Sequence, residues 1–268
     1  MNQIYRVIET TRNYFQSSAE KTLVVKLAQN SRERIAAQKL RKEVFAAELP
    51  GGYLSSTDTD EDEFDDHCRH LIVVDQSTNK VVGTYRVLSA ASARSLGRYY
   101  SESSFDLTKL NDIRGSLLEL GRSCVHPDYR DGTVIRLLWS GLGEILKTSP
   151  ERFVIGCPSV SLADGGHYAA AIHRKLSRKH LSEPSLQVHP HDRLPFETLF
   201  ANCDPVIPPL FKGYLRVGAQ LMGPPHRDLQ FGTADFFMML PVAAIAERYS
   251  KRFITRTDHT SNSELLPA

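Results

Sequence analysis

Glu119 and Arg122 lie three residues apart in the run LLELGRSCVHPDYRDGTVIRLLW, where a strand-like stretch passes through a loop into an amphipathic helix. A shielded carboxylate can act as a general base, and a guanidinium can hold an anion. On a regular strand residues at this spacing point to opposite faces, so one site takes both only through a bulge or twist near Gly121. Spacing alone favours a structural ion pair at a sheet edge. The loop from Tyr129 to Thr133 then enters the helix, and its free amides suit a phosphate. One Gly and one Arg there also describe an ordinary helix start.

Other polar clusters are local. The stretch Asp58 to Asp66, DTDEDEFDD, is strongly acidic, while Arg174, Lys175, Arg178 and Lys179 form a basic group on a helical pattern. Either is ordinarily a solvated face. His67 and His70 flank Cys68, but their alternation directs them away from it and no fourth ligand is evident, so no metal site is expected. The cysteines at 68, 124, 157 and 203 contain no CxxC pair, which argues for a reducing, cytoplasmic setting. Cys124 has no partnering His pattern and reads as core.

These residues need elements to position them. Ser31 is a candidate cap for a helix carrying Ile35, Leu40, Val44 and Phe45 at near-helical spacing, with Gly51 and Gly52 as its stop. The runs 70–75 and 80–88 predict an antiparallel hairpin. A helix and an irregular crossing are expected over 90–111. Strand 117–125, helix 133–146, strand 153–157 and a helix over about 166–180 follow, and together with the hairpin they imply a mixed sheet covered by helices. Beyond Leu181 come a Pro- and His-rich stretch, a helix over 209–221, a strand over 234–240 and a last helix over 242–250.

With 268 residues, 41% hydrophobic and 24% charged, the chain suits one large globular unit. A net charge of +2 gives no case for nucleic acid. The start lacks the apolar core of a secretory signal, and the longest nearly apolar run, 236–246, is far too short to span a bilayer.

Several short motifs in order carry a family resemblance. They are Leu40-Arg41-x-x-Val44-Phe45, Asp62-Glu63-Phe64-Asp65, Val82-Gly83-Thr84-Tyr85-Arg86 and Glu119-Leu120-Gly121-Arg122. This series resembles the GNAT superfamily, and within it the long-chain branch of ornithine-lipid N-acyltransferases and acyl-homoserine-lactone synthases. Residues 119–130, 155–157, 212–219 (KGYLRVGA) and 231–235 (FGTAD) are similar to the ornithine-lipid enzymes in particular. The phosphate loop departs from the superfamily pattern: Arg130 to Ile135 holds its Gly early and ends without a small residue, which weakens the case for acetyl-CoA.

The resemblance implies an α/β, GNAT-like, mainly antiparallel central sheet flanked by helices, with a C-terminal α/β extension. Residues 1–30 would be an N-terminal segment, 31–180 the acyltransferase core, 181–250 the extension packed on it and 251–268 a tail. The implied reaction moves a 3-hydroxyacyl chain from acyl carrier protein to the α-amine of L-ornithine, with no metal or redox cofactor. Glu119 would be the base, acting directly or through water, and Arg122 its catalytic companion; a backbone N–H within Ser123 to Val125 would hold the oxyanion. Val125, Arg130, Gly132, Thr133 and Val134 would bind phosphopantetheine, and the basic group at 174–179 would receive the carrier. Asp62, Glu63, Asp65 and Asp66 would meet the cationic acceptor. Arg86 and Arg122 would grip its carboxylate or pair with those acids. Arg248, Lys251, Arg252 and Arg256 are candidates for peripheral membrane contact. Another acceptor amine, a lactone product or a non-catalytic binding module are the competing readings.

Overall fold

A computed structural model describes residues 22–48, 57–199 and 204–245. The elements in chain order begin with β1 (Leu23–Leu27), α1 (Ser31–Glu48), β2 (Arg69–Asp75), β3 (Lys80–Leu88) and α2 (Ala90–Leu96). They continue with β4 (Phe105–Asp106), β5 (Leu117–Val125), α3 (Thr133–Thr148), β6 (Phe153–Gly156), β7 (Ser159–Ser161) and α4 (His167–His180). Last come β8 (His189–Pro190), α5 (Pro209–Arg216), β9 (Gln220–Leu221), β10 (His226–Asp228), β11 (Thr233–Asp235) and β12 (Met238–Pro241).

Seven strands form the main sheet in the order β1-β2-β3-β5-β6-β12-β9, and only β5 and β6 run parallel. This is the mixed, mainly antiparallel sheet expected. Alternation sorts its side chains to two sides. Leu71, Val73, Tyr85, Val87, Leu118 and Leu120 join the core under α3 and α5. Ile72 and Val74 face the other way against Ala37 of α1, and Leu117 and Leu88 enter a second core on that side.

The alternation breaks at one place in β5. Thr84 pairs with Cys124 and Arg86 with Gly121, so Arg122 and Ser123 together oppose Tyr85. Arg122 takes a left-handed φ of 49°. This bulge inverts the strand's parity: Cys124 packs with Leu40 and Val44 of α1, on the same side as Glu119, whereas Val125 returns to the α3 core.

The sheet also opens. The β5–β6 pairing covers only Leu117 to Glu119 against Phe153 to Ile155, after which β5 runs on without β6. A Cβ at Gly156 would lie 2.7 Å from the Leu120 carbonyl oxygen, so only glycine lets the strands approach there before they part.

Local details differ from the sequence expectations. Asn30, not Ser31, caps α1, its Oδ1 accepting from the Glu33 amide at 3.0 Å. Ile35 is exposed, and α1 buries Gln38 and Arg41 beside its apolar residues because it covers a charged site. The 209–221 helix stops at Arg216, and Gln220–Leu221 is a strand. The 234–240 strand is two: β11 joins a small sheet with β10 and β7, while β12 joins the main sheet. The stretch 153–157 ends as a strand at Gly156. Residues 242–245 are helical; the rest of that helix, Gly51 and Gly52, and the basic tail lie outside the described residues. No helix among the described residues is long and apolar enough to cross a membrane.

Candidate active site

On the α1 side, three arginines meet three aspartates. Arg41, fully buried, reaches Asp60 Oδ2 at 2.6 Å through Nε and both oxygens of Asp65 at 2.9 and 3.0 Å through Nη2. Arg86 donates to Asp62 Oδ1 at 2.6 Å, and Arg122 to Asp62 Oδ2 at 3.4 Å. Asp62 thus bridges the two arginines offered for the acceptor carboxylate. Burial alone would raise its carboxyl, but Arg86, then Arg122 and the Phe64 amide, carry it below the ordinary carboxylate range. Glu63 pairs with Arg98, and Asp66 with Arg34 at 2.6 Å.

Glu119 lies beside this cluster, nearly fully buried. Its oxygens accept from the amides of Tyr100 and Ser101 at 2.7 and 2.8 Å, so it caps the turn that begins there. Burial pushes its carboxyl up, against those hydrogen bonds and the charge of Arg86. A cavity of ≈ 10 Å³ separates Glu119 from Arg86, Gly121 and Tyr100. That is about the volume one water needs.

Tyr100 completes the arrangement. Its ring lies 5.1 Å from the guanidinium carbons of both Arg86 and Arg122, and Phe231 covers Arg122 from another direction at 5.4 Å. Phe64 meets Tyr100 edge to face at 5.3 Å. A cleft of ≈ 630 Å³ opens above them, lined by Glu61, Asp62, Tyr100, Arg122, Asp228 and Phe231. Nearby, burial lifts the Asp235 carboxyl to about 6 despite its bonds to Ser159 and Thr233.

A second cleft, of ≈ 850 Å³, lies on the other side of the bulge. It is lined by Ser123, Val125, Arg130, Gly132, Trp139 and Arg216. Gly132, at φ 92°, starts α3, and the amide of Thr133 is taken by Asp131 Oδ1 at 2.8 Å. Val134, expected to bind phosphopantetheine, is instead fully buried in the core and does not line the cleft. Arg130 donates to the Val125 carbonyl and pairs with Glu48. Trp139 and Val217 border both this cleft and an apolar cavity of ≈ 50 Å³ running between α3, α5 and β12.

The remaining candidates fall elsewhere. Arg174 is tied to the Leu199 carbonyl and Lys175 to Asp204 at 2.7 Å, both on α4 and outside either cleft. His70 is buried on the Asp65 carbonyl at 3.0 Å, and His67 is exposed. Burial pushes the Cys124 thiol up to about 12, the opposite of an activated nucleophile.

The sequence analysis gave no role to Arg41, Asp60, Tyr85, Tyr100 or Tyr214. Arg41 stood in a motif and on the buried face of α1, so a charge within an apolar helical stripe was its signal. Tyr100 carried none.

Residues 40–140 match the family model described as an acetyltransferase (GNAT) domain. The chain is 34% identical over 245 residues to an L-ornithine N(alpha)-acyltransferase of Agrobacterium fabrum, covering 85% of this chain and 84% of that one. It is 35% identical to one of Brucella abortus, covering 85% and 87%, and 31% identical to one of Rhodobacter capsulatus, covering 87% and 94%. With this extent of identity along nearly the whole of each partner, the chain belongs to the L-ornithine Nα-acyltransferase family.

Proposed function

We propose that this acyltransferase moves a long acyl chain from an acyl carrier protein to the α-amine of ornithine. The observation that carries the reading is the bulge. Adjacent residues line opposite clefts, Arg122 the one with the acidic and aromatic walls and Ser123 the one that leads to apolar space. A thioester entering from the second side and an amine from the first would meet at the backbone between them. A bulged residue leaves the ladder, which frees backbone groups to face an oxyanion.

The donor cleft suits a pantetheine arm, with the start of α3 at one wall and apolar space beyond Trp139 for the chain. Arg130, Arg136 and Arg216 line its walls and place positive charge where an acidic carrier would dock. The basic group on α4 lies outside this cleft, with Arg174 on the Leu199 carbonyl and Lys175 on Asp204, while Arg130 is itself paired with Glu48. The acceptor side has a balanced interior, because Asp60, Asp62 and Asp65 are matched by Arg41, Arg86 and Arg122. A side-chain ammonium would therefore meet Glu61 and Asp228 at the cleft wall.

Glu119 acts through an intervening water, since both of its oxygens are held by amides. It draws the amine proton after Arg122 and Asp62 have oriented the acceptor. The test combines purified protein, 3-hydroxyacyl carrier protein and a mixture of amino acids, with the Glu119→Gln protein alongside. Acylornithine as the main product, reduced at least about a hundredfold in the variant, is expected. A different acylated amine would replace the acceptor, and wild-type rates in the variant would remove Glu119 from the chemistry.

A further inference from the structure

The apolar cavity on the donor side is too small for the chain it is placed to receive. An apolar cavity of about 150 Å³ takes up a single benzene ring. This one holds ≈ 50 Å³, room for about two carbons on the same scale. The larger donor cleft does not supply the rest, because Arg130, Arg136 and Arg216 are among its walls and methylenes left there stay beside water and charge. A long chain is buried only if a wall moves.

The walls are held unequally. α3 is fixed along its length by Val134, Leu138, Leu142 and Ile145, all buried in the core. α5 has eight residues, too few for a helix to be stable by itself, and of these only Phe211 is fully buried, edge to face with Phe236 at 5.2 Å. Its middle is a glycine. A Cβ at Gly213 would lie 3.1 Å from the Trp139 ring, so the seat of the indole is obtained at the expense of helix propensity. Pro208 and Pro209 lead into α5, and Gly218, at φ 97°, ends it. Toward the cavity α5 is held by Tyr214, which stacks on Trp139 at 5.6 Å and shares a 2.8 Å hydrogen bond with the Tyr85 hydroxyl. Two such contacts are matched by the burial of a few methylenes, and a long chain brings many more.

We propose that α5 is a hinged flap, which a long acyl chain opens by tilting the helix about Phe211 and parting Tyr214 from Trp139. The inference rests on the donor side assigned under the proposed function. Only a chain longer than the closed cavity binds the open state better than the closed one, so short chains leave the flap shut. With no chain bound, the closed flap keeps water from the apolar space.

Two measurements test this. Trp139 is the single tryptophan of the chain, so its emission reports the stack in the unaltered protein. Butyryl and myristoyl forms of a carrier protein without tryptophan are titrated against it, with ornithine omitted. A saturable change in emission with the myristoyl form and none with the butyryl form is expected. The second measurement pins the flap. A Cβ at Gly218 would lie 3.4 Å from that of Ala244, which follows β12 of the main sheet, and this is near disulfide spacing. The doubly substituted Gly218→Cys, Ala244→Cys protein is locked when oxidised and free when reduced, so one preparation is its own folding control. Oxidation should lower kcat/KM for the myristoyl donor at least about tenfold relative to the butyryl donor, and reduction should restore it. Equal effects on both donors, or Trp139 emission indifferent to chain length, overturn the proposal. Absence of acylornithine from wild type with either donor overturns the proposed function instead, and the emission titration, run without ornithine, still decides the flap.

Discussion

Asp62 holds two arginines with one carboxylate, and the consequences of that bridge are local and measurable. Arg86, 3% exposed, sits between Asp62 and Asp65. Removing it leaves the buried Asp65 and the partly buried Asp62 with only Arg41 and Arg122 to answer them. Breaking a buried pair in this way costs about 3–5 kcal/mol, so Arg86→Ala is expected to lose that much in urea unfolding. A loss below about 1 kcal/mol would mean that the cluster is solvated and not held as described. Asp235 gives a pH dependence of the opposite kind to an ordinary ion pair. Its folded value of about 6 exceeds its unfolded value of about 4, so the folded state binds the proton more tightly. Stability attributable to Asp235 is then present below pH 4 and falls as pH rises to about 6. Asp235→Asn should remove that decline, visible as a smaller difference between urea midpoints at pH 4.5 and pH 7 than wild type shows.

At the scale of elements, the bulge and the end of the β5–β6 pairing set the site. The sequence showed that Glu119 and Arg122 share a face only if β5 is irregular, and the parity inversion at Arg122 and Ser123 is that irregularity. The close approach of β6 to β5 depends on Gly156. Gly156→Ala would press a Cβ into the Leu120 carbonyl, with an expected cost of about 1–3 kcal/mol and a larger loss in activity than in stability. Unchanged thermal midpoint and rate would show that the strands have room to spare. Gly143, on α3, lines the apolar cavity, and a Cβ there meets nothing within 4 Å. Gly143→Ala should stabilise by about 1 kcal/mol through helix propensity, whereas Gly143→Phe should shift donor preference toward shorter chains, read by competition between carrier proteins of different acyl length. An unaltered length profile would place the chain elsewhere.

Over the whole molecule, much of the fold was legible because its long elements have clear periods. The hairpin 70–88, strand 117–125 and helix 133–146 carry alternation or a helical stripe over seven residues or more. β1, which Leu23 to Leu27 forms at the sheet edge, was passed over because five residues without a flanking turn give little pattern. β7, β10 and β11 have three residues each, too short for a period, and β11 pairs both with the adjacent β10 and with β7 some seventy positions away, which no local signal reveals. The candidate site was legible in its charges and not in their pairing. Asp62, Arg86 and Arg122 stood out as types, but their mutual bridge needs the acidic loop folded over the sheet. Glu119 as a cap for Tyr100 depends on an irregular crossing whose path the sequence leaves open.

The central claim is that donor and acceptor approach through separate clefts and meet at Arg122 and Ser123. A crystal structure with N-α-(3-hydroxymyristoyl)ornithine bound tests it most directly. The account predicts the acyl chain between α3 and α5 beside Tyr214, the ornithine under Tyr100 and Phe231, and the amide at the backbone of the bulge. Chain and amino acid lying together in one cleft, with the bulge untouched, would contradict it.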